Sequence, residues 1–410
     1  MPARTPPHLS TLIILTGSAI LTINMFVPSL PGMARDFGVD YGAMSLVIGA
    51  YLLVTAVMQL LFGPLSDVIG RRPVILGGMA VFTFASALCA LTSDITVFWI
   101  GRMLQAAATV GVALSRAVMR DQYEPRELSQ KMSTVSMVMA LGPLVGPVLG
   151  GVIDEVFGWR GNFAFYTLLG LAVLILAWVD LGETHRSRGT GFAAHFRAWP
   201  ELLGSPRFWG YATCWSFSIA TFHVFVAAAP LALSTTFGMG AGELGLYMAT
   251  MSVGFMLGSY VSGQVARRVD WPLTRLVIIG RLAAALGLLL ALVALEIGLL
   301  TIPLLVSCMV LNGLGNGLTA PNAASGVMAV RPHLAGAASG LSSAMIQFAG
   351  ALATGAVGLV LVPELAMEVL LAAMLSVAVI GLVAGLWLVR VERRRGIIRT
   401  DVPKAGPGLE

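Results

Sequence analysis

The chain has 410 residues, of which 57% are hydrophobic and only 11% charged, and it carries a net charge of +5. A soluble domain places charge at roughly a quarter of its residues, so a water-exposed globule is excluded and lipid is the expected solvent. The three cysteines, Cys89, Cys214 and Cys308, sit in apolar runs without metal-ligand spacing; this argues against a disulfide framework, and no metal or cofactor is expected.

The apolar runs last about 20 residues, enough to cross the hydrocarbon as helices, and they lack the alternation of barrel strands. In chain order they fall at 10–31, 43–64, 73–92, 96–119, 132–153 and 162–182, then at 207–232, 243–265, 274–296, 301–329, 336–362 and 366–389. The first run follows a short polar leader, as a signal peptide would. No convincing small-residue cleavage site ends it and more spans follow, so it is expected to be retained. The longest polar stretch, 183–206, contains Arg186, Arg188 and Arg197 and separates two sets of six. The expected fold is therefore all-α integral membrane, with 12 transmembrane helices as two six-helix halves. The N-terminal half is 1–182, the linker 183–206, the C-terminal half 207–390 and the tail 391–410.

The basic residues give an orientation. With both termini on one side, that side gathers most of the 25 Lys and Arg, among them Arg71, Arg72, Arg120, Lys131, Arg267, Arg268 and Arg331. The opposite side receives only Arg35 and Arg160, and Arg102, Arg116 and Arg281 remain within spans. Basic loops stay in the cytoplasm, so both termini are expected there. Residues scattered over loop ends do not make a nucleic-acid surface, and no such partner is expected.

Three segments carry a pattern. Between spans 2 and 3 the chain reads Gly63-Pro64-Leu65-Ser66-Asp67-Val68-Ile69-Gly70-Arg71-Arg72. Glycine permits a tight turn at a helix end, Asp67 can cap or pair with a cation, and the arginines hold the loop at the surface. Span 4 contains Gly101-Arg102-Met103-Leu104-Gln105-Ala106. Span 5 reads Gly142-Pro143-Leu144-Val145-Gly146-Pro147-Val148-Leu149-Gly150-Gly151; glycines four apart bare one helix face to another backbone. Span 8 offers a matching strip at Gly254, Gly258 and Ser262, and the two strips are expected to form one seam.

These segments resemble the loop signature, the R-x-x-Q-G pattern and the antiporter signature of the major facilitator superfamily. With Asn24-Met25-Phe26-Val27-Pro28 in span 1, they resemble its bicyclomycin and chloramphenicol resistance branch of drug–proton antiporters. Val68 stands where the family has a basic residue, and Ala106 where it has glycine. The resemblance implies that helices 5 and 8 meet across the two halves. It also places an aspartate at Asn24, where that branch links a membrane carboxylate to cation recognition and proton coupling. All 20 acidic residues of this chain fall at span ends, so that coupling is not carried over.

A charge at the bilayer centre costs at least about 2.5–3.5 kcal/mol and usually faces an aqueous cavity or a partner. Arg102 is the foremost functional candidate on that ground, with Gln105 beside it. Arg281 is expected to snorkel from a peripheral helix, and Arg116 stands between the two readings. His223 could exchange protons or serve as a hydrogen-bonded packing residue. Tyr51, Gln59, Trp215, Phe222, Asn312, Asn316, Asn322 and Gln347 are candidates for a mostly apolar cavity wall. Asp121, at a span end, is a further coupling candidate.

The sequence thus points to a secondary active exporter of drug-like or metabolite-like small molecules. It is expected to work by alternating access, driven by protons, as a monomer in the bilayer. A transporter of an anionic metabolite or metallophore is the alternative. A membrane-embedded enzyme is the remote one, since no span pairs carboxylates or sets a nucleophile beside a base.

Overall fold

The computed structural model describes residues 7–123, 125–184, 199–269 and 271–395. Long helices account for nearly all of them. They are α1 Leu9–Phe37, α2 Tyr41–Ile69, α3 Arg71–Leu91 and α4 Ile95–Gln122, α5 Pro125–Phe157 and α6 Trp159–Asp180. The second set is α7 Pro206–Phe237, α8 Ala241–Arg268, α9 Leu273–Glu296, α10 Ile302–Ala329, α11 Pro332–Val360 and α12 Pro363–Arg394. Among the described residues, eleven helices are long and apolar enough to cross a membrane. The remaining one, α5, has 33 residues, beyond the roughly 20 a crossing requires, and runs between α4 and α6. We call the side where α1 begins and α12 ends the terminal side, and the opposite one the distal side.

Large apolar side chains such as Phe84, Leu168, Leu286, Leu352 and Val383 remain exposed on the outer faces, an arrangement that water would penalise and lipid does not. Of the expected linker, 185–198 lie outside the described residues, as do 396–410 of the expected tail. The boundary expected at 390 falls inside a helix, because α12 continues to Arg394. The cause is Glu392, whose buried carboxylate accepts from Arg207 Nη2 at 3.0 Å, Arg207 Nε at 3.1 Å and Tyr211 Oη at 3.0 Å. A charged stretch that reads as solvated tail is thereby clamped to the start of α7.

Two helices are broken within their length. In α1 the α-helix Leu9–Asn24 gives way to a 3-10 turn at Val27–Ser29, where Pro28 has no N–H to donate, and resumes at Leu30–Phe37. In α4 a 3-10 segment, Ala106–Thr109, follows Gln105 directly, a mid-helix tightening of the kind found at hinges. Prolines inside spans are tolerated when the freed carbonyl finds another donor. Pro321 in α10 removes the donor to the Gly317 carbonyl, and Ser259 of α8 supplies one at 3.4 Å.

The halves close on each other at the distal side. A Cβ at Gly42 of α2 would stand 2.6 Å from the Gly358 carbonyl of α11, and one at Gly49 3.2 Å from the Ala351 carbonyl. Tyr41 donates to the Ala227 carbonyl of α7 at 2.9 Å. Helix α5 packs against α8, as expected for helices 5 and 8, but through other residues than the two glycine strips. A Cβ at Gly151 would run into the Ala241 carbonyl, and one at Gly245 into the Pro147 carbonyl.

Candidate functional site

The bare face of α5 belongs to α1. Gly142 lies against Ile20, Gly146 against Asn24 with its would-be Cβ 3.0 Å from Asn24 Cβ, and Gly150 against the Met25 carbonyl. Gly254 and Gly258 of α8 likewise face the Val310 and Leu314 carbonyls of α10 within one half. The matched seam between these two strips is therefore corrected. Both are seams inside a half, because a glycine stripe signals close backbone approach without saying whose backbone approaches.

On the terminal side the loop between α2 and α3 is a hub of charge. Gly70 has φ +105, a conformation that disfavours any side chain. Arg71 Nη1 meets Asp67 at 2.7 Å and Arg71 Nε meets Asp121 of α4 at 3.2 Å, with Ser66 Oγ also accepting from Arg71. Glu183 accepts from the backbone N–H of Arg71 at 3.0 Å and of Arg72 at 3.2 Å, which caps α3. Arg72 Nη2 donates to the Trp178 carbonyl at 2.9 Å. Gly63 closes the set: Ser66 Oγ donates to its carbonyl at 2.8 Å. Asp121 is thus part of this hub.

Arg102 does not face an open cavity. Its guanidinium, 1% exposed, lies 4.1 Å from the Phe26 ring centre, 4.8 Å from Tyr51 and 5.8 Å from Phe163. It donates to Gln105 Oε1, and Gln105 Nε2 in turn donates to Ser86 Oγ at 2.7 Å. The partners are rings and one amide: a cation–π cage inside the N-terminal half.

Arg281 does not snorkel. It is fully buried and donates to Asn316 Oδ1, to Ser218 Oγ at 3.0 Å and to Thr319 Oγ1 at 3.2 Å. Asn316 Nδ2 continues to Thr221 at 2.9 Å and to Asn312 Oδ1 at 3.2 Å. Each half therefore holds a buried guanidinium bonded to neutral groups alone. The signal for Arg281 was present as Ser218 and Thr221 on α7 and Asn316 and Thr319 on α10, on helices other than its own.

Several buried polar atoms have no hydrogen-bond partner. In the N-terminal half they include Asn24 Oδ1, Tyr51 Oη, Thr55 Oγ1 and Gln59 Oε1; in the C-terminal half, His223 Nδ1, Ser252 Oγ, Asn312 Nδ2 and Arg281 Nη1. Tyr51, Thr55 and Gln59, four apart, form one polar stripe on α2. Asn24 turns its amide back to the Ile20 carbonyl at 2.8 Å. His223 is packed against Gly350 of α11, so the hydrogen-bonded role is not realised at Nδ1. Groups of this kind inside a membrane call for water or a ligand. Arg116 is half-buried with Nη2 3.6 Å from Met139 Sδ, and Gln347 is half-buried on α11. A cavity of about 730 Å³ lies elsewhere: it opens at the distal side between the halves and is lined by Arg35, Asp40, Tyr41, Asp154, Ser234 and Met239 among others.

The model of the Major Facilitator Superfamily matches residues 12–354. A chloramphenicol resistance protein of Pseudomonas aeruginosa is 34% identical over 259 residues, covering 62% of this chain and 61% of that protein. Multidrug resistance protein D of Escherichia coli K12 is 29% identical over 333 residues, covering 80% of this chain and 83% of that one. Among solved structures, a bacterial homologue of the human lysosomal transporter Spinster, inward-facing and occupied, superposes with a TM-score of 0.76 at 15% identity, over 94% of this chain and 96% of that one.

Proposed function

Because the chain belongs to the Major Facilitator Superfamily of membrane transporters, we propose that it exports drug-like or metabolite-like small molecules across a bacterial inner membrane. The termini face the cytoplasm, and the two halves rock about a site between them, as in other parallel repeats. The distal closure at α2–α11 and α5–α8 supports an alternating pathway shut on one side. The names of the relatives matched above support resistance compounds as cargo. Proton antiport is the driving reaction we favour, through His223, whose Nδ1 is free, or through the cargo's own ionisable group, since Asp121 is held by Arg71.

One observation carries the specificity: Arg102 and Arg281 are buried with neutral partners only, and Asn24 stands where a carboxylate would. An unpaired cationic cargo would meet repulsion in low dielectric without a compensating anion. Neutral, zwitterionic or anionic cargo is therefore favoured, which keeps an anionic metabolite as a second reading. The test is uptake into inverted vesicles at two pH values, comparing a chloramphenicol-like neutral compound with ethidium. Transport of the neutral compound alone is expected, with Asn24→Asp altering the ratio. Robust transport of ethidium by the wild type, unchanged by Asn24→Asp, refutes it.

A further inference from the structure

Helix α8 begins without a cap of its own. Its N-cap position is Gly240, and no side chain caps it. The first turn of a helix leaves four N–H donors without intrahelical partners, and an Asp, Asn, Ser or Thr at the N-cap usually accepts from one of them. Here the acceptor comes from the other half of the molecule. Glu155, at the distal end of α5, accepts from the Gly242 N–H at 3.0 Å. A Cβ at Gly242 would fall on that carboxylate, and one at Gly240 would stand 4.0 Å from Glu155 Oε1. Two glycines thus form the seat on which the acid rests.

The same device occurs a second time with a different consequence. Gly70 occupies the N-cap of α3, and Glu183, just past the end of α6, accepts from the Arg71 and Arg72 N–H groups. Donor and acceptor there ride in one half, so that cap persists whatever the halves do. On α8 they ride in different halves, so the cap exists only while the distal side is closed. The neighbouring contacts of Gly151 with Ala241, Gly245 with Pro147 and Tyr41 with Ala227 lie on the same seal.

We propose that Glu155 is a latch that biases the alternation towards the distal-closed state by capping α8 in trans. It is a positioning residue for transport and touches no cargo. The inference rests on the alternating-access reading but not on any particular substrate. Losing an N-cap acceptor shifts an equilibrium by about 2- to 30-fold, and the charge of Glu155 adds to this through the helix dipole.

The test reads the seal itself. Ser45 is fully buried in the α2–α11 seam, so a Ser45→Cys reporter is made in a full-length chain lacking Cys89, Cys214 and Cys308. The rate of labelling by an impermeant maleimide is measured from the distal side of right-side-out vesicles. Glu155→Ala is expected to raise that rate several-fold, and Glu155→Gln to raise it less, since an amide oxygen accepts without the charge. Gly242→Ala, which displaces the carboxylate from the opposite partner, should reproduce the rise. Unchanged labelling in both Glu155→Ala and Gly242→Ala overturns the latch. Because labelling needs no cargo, a failure of the export assay bears on the proposed function and leaves this measurement intact.

Discussion

Gly150→Ala is the smallest change expected to do large damage. The added methyl would fall on the Met25 carbonyl of α1, where α1 is already broken by its turn and 3-10 segment. Backbone cannot move aside as a flexible side chain can, so α5 and α1 must part by about 1–2 Å, and a radial gap of even 0.5–1 Å forfeits a quarter to a half of each dispersion contact. Gly146 against Asn24 and Gly142 against Ile20 lie on the same seam and would loosen with it. The Asn162 Nδ2 bond to the Gly150 carbonyl, 3.1 Å long, ties α6 to the same point. Overpacking of this kind costs about 1–3 kcal/mol, and the upper figure corresponds to roughly 6–12 °C in unfolding midpoint for a domain of about 200 residues. The assay is thermal unfolding in detergent by fluorescence-detected size exclusion, with Gly355→Ala as control, since nothing lies within 4 Å of a Cβ there. A Gly150→Ala protein as stable as Gly355→Ala would refute the seam.

Gly254→Leu should act inside the C-terminal half by forcing α8 off the Val310 carbonyl, so folded protein recovered from the membrane falls well below wild type; full recovery would contradict the α8–α10 contact. For Arg102→Met, the lost ring and Gln105 interactions, about 2–5 kcal/mol, are opposed by several kcal/mol of relieved desolvation. The midpoint should therefore stay within a few degrees while vesicle counterflow is lost, with Arg102→Lys restoring only part; wild-type counterflow by Arg102→Met would make the cage mere packing. Asp94 caps α4, and the Val97 and Thr96 N–H groups hold its carboxyl below the usual carboxylate range. That stability is present above the ordinary value near 4 and lost as pH falls through the lowered one. The midpoint difference between Asp94→Ala and wild type should hold at pH 7 and shrink only in acid; a difference that vanishes between pH 7 and 5 would be inconsistent with it.

The sequence located the spans because lipid thickness imposes a length that apolar runs must meet, and the observed helix ends fall within about two turns of the expected ones. It located the Gly142–Gly150 face because a period of four is a local property. What it could not supply was the partner of each face. The snorkelling expectation for Arg281 came from depth and peripheral position alone, and the Ser218, Asn316 and Thr319 oxygens that receive it are contributed by α7 and α10. Glu155 went unread for the same reason. The glycines at 240 and 242 hint at an uncapped start, but the acid that fills it lies 87 residues earlier on another helix.

The Glu392 clamp decides where this chain tolerates being cut. A protein ended after Arg390, where the charged stretch first looks dispensable, would keep Arg207 and Tyr211 but remove the carboxylate that both address. Each buried donor left without an acceptor costs about 1–3 kcal/mol, and the first turn of α7 would lose its anchor to the end of α12. Ending the chain after Arg395 keeps the whole helix and the carboxylate. A cleavable tag or a fluorescent fusion therefore belongs beyond that residue.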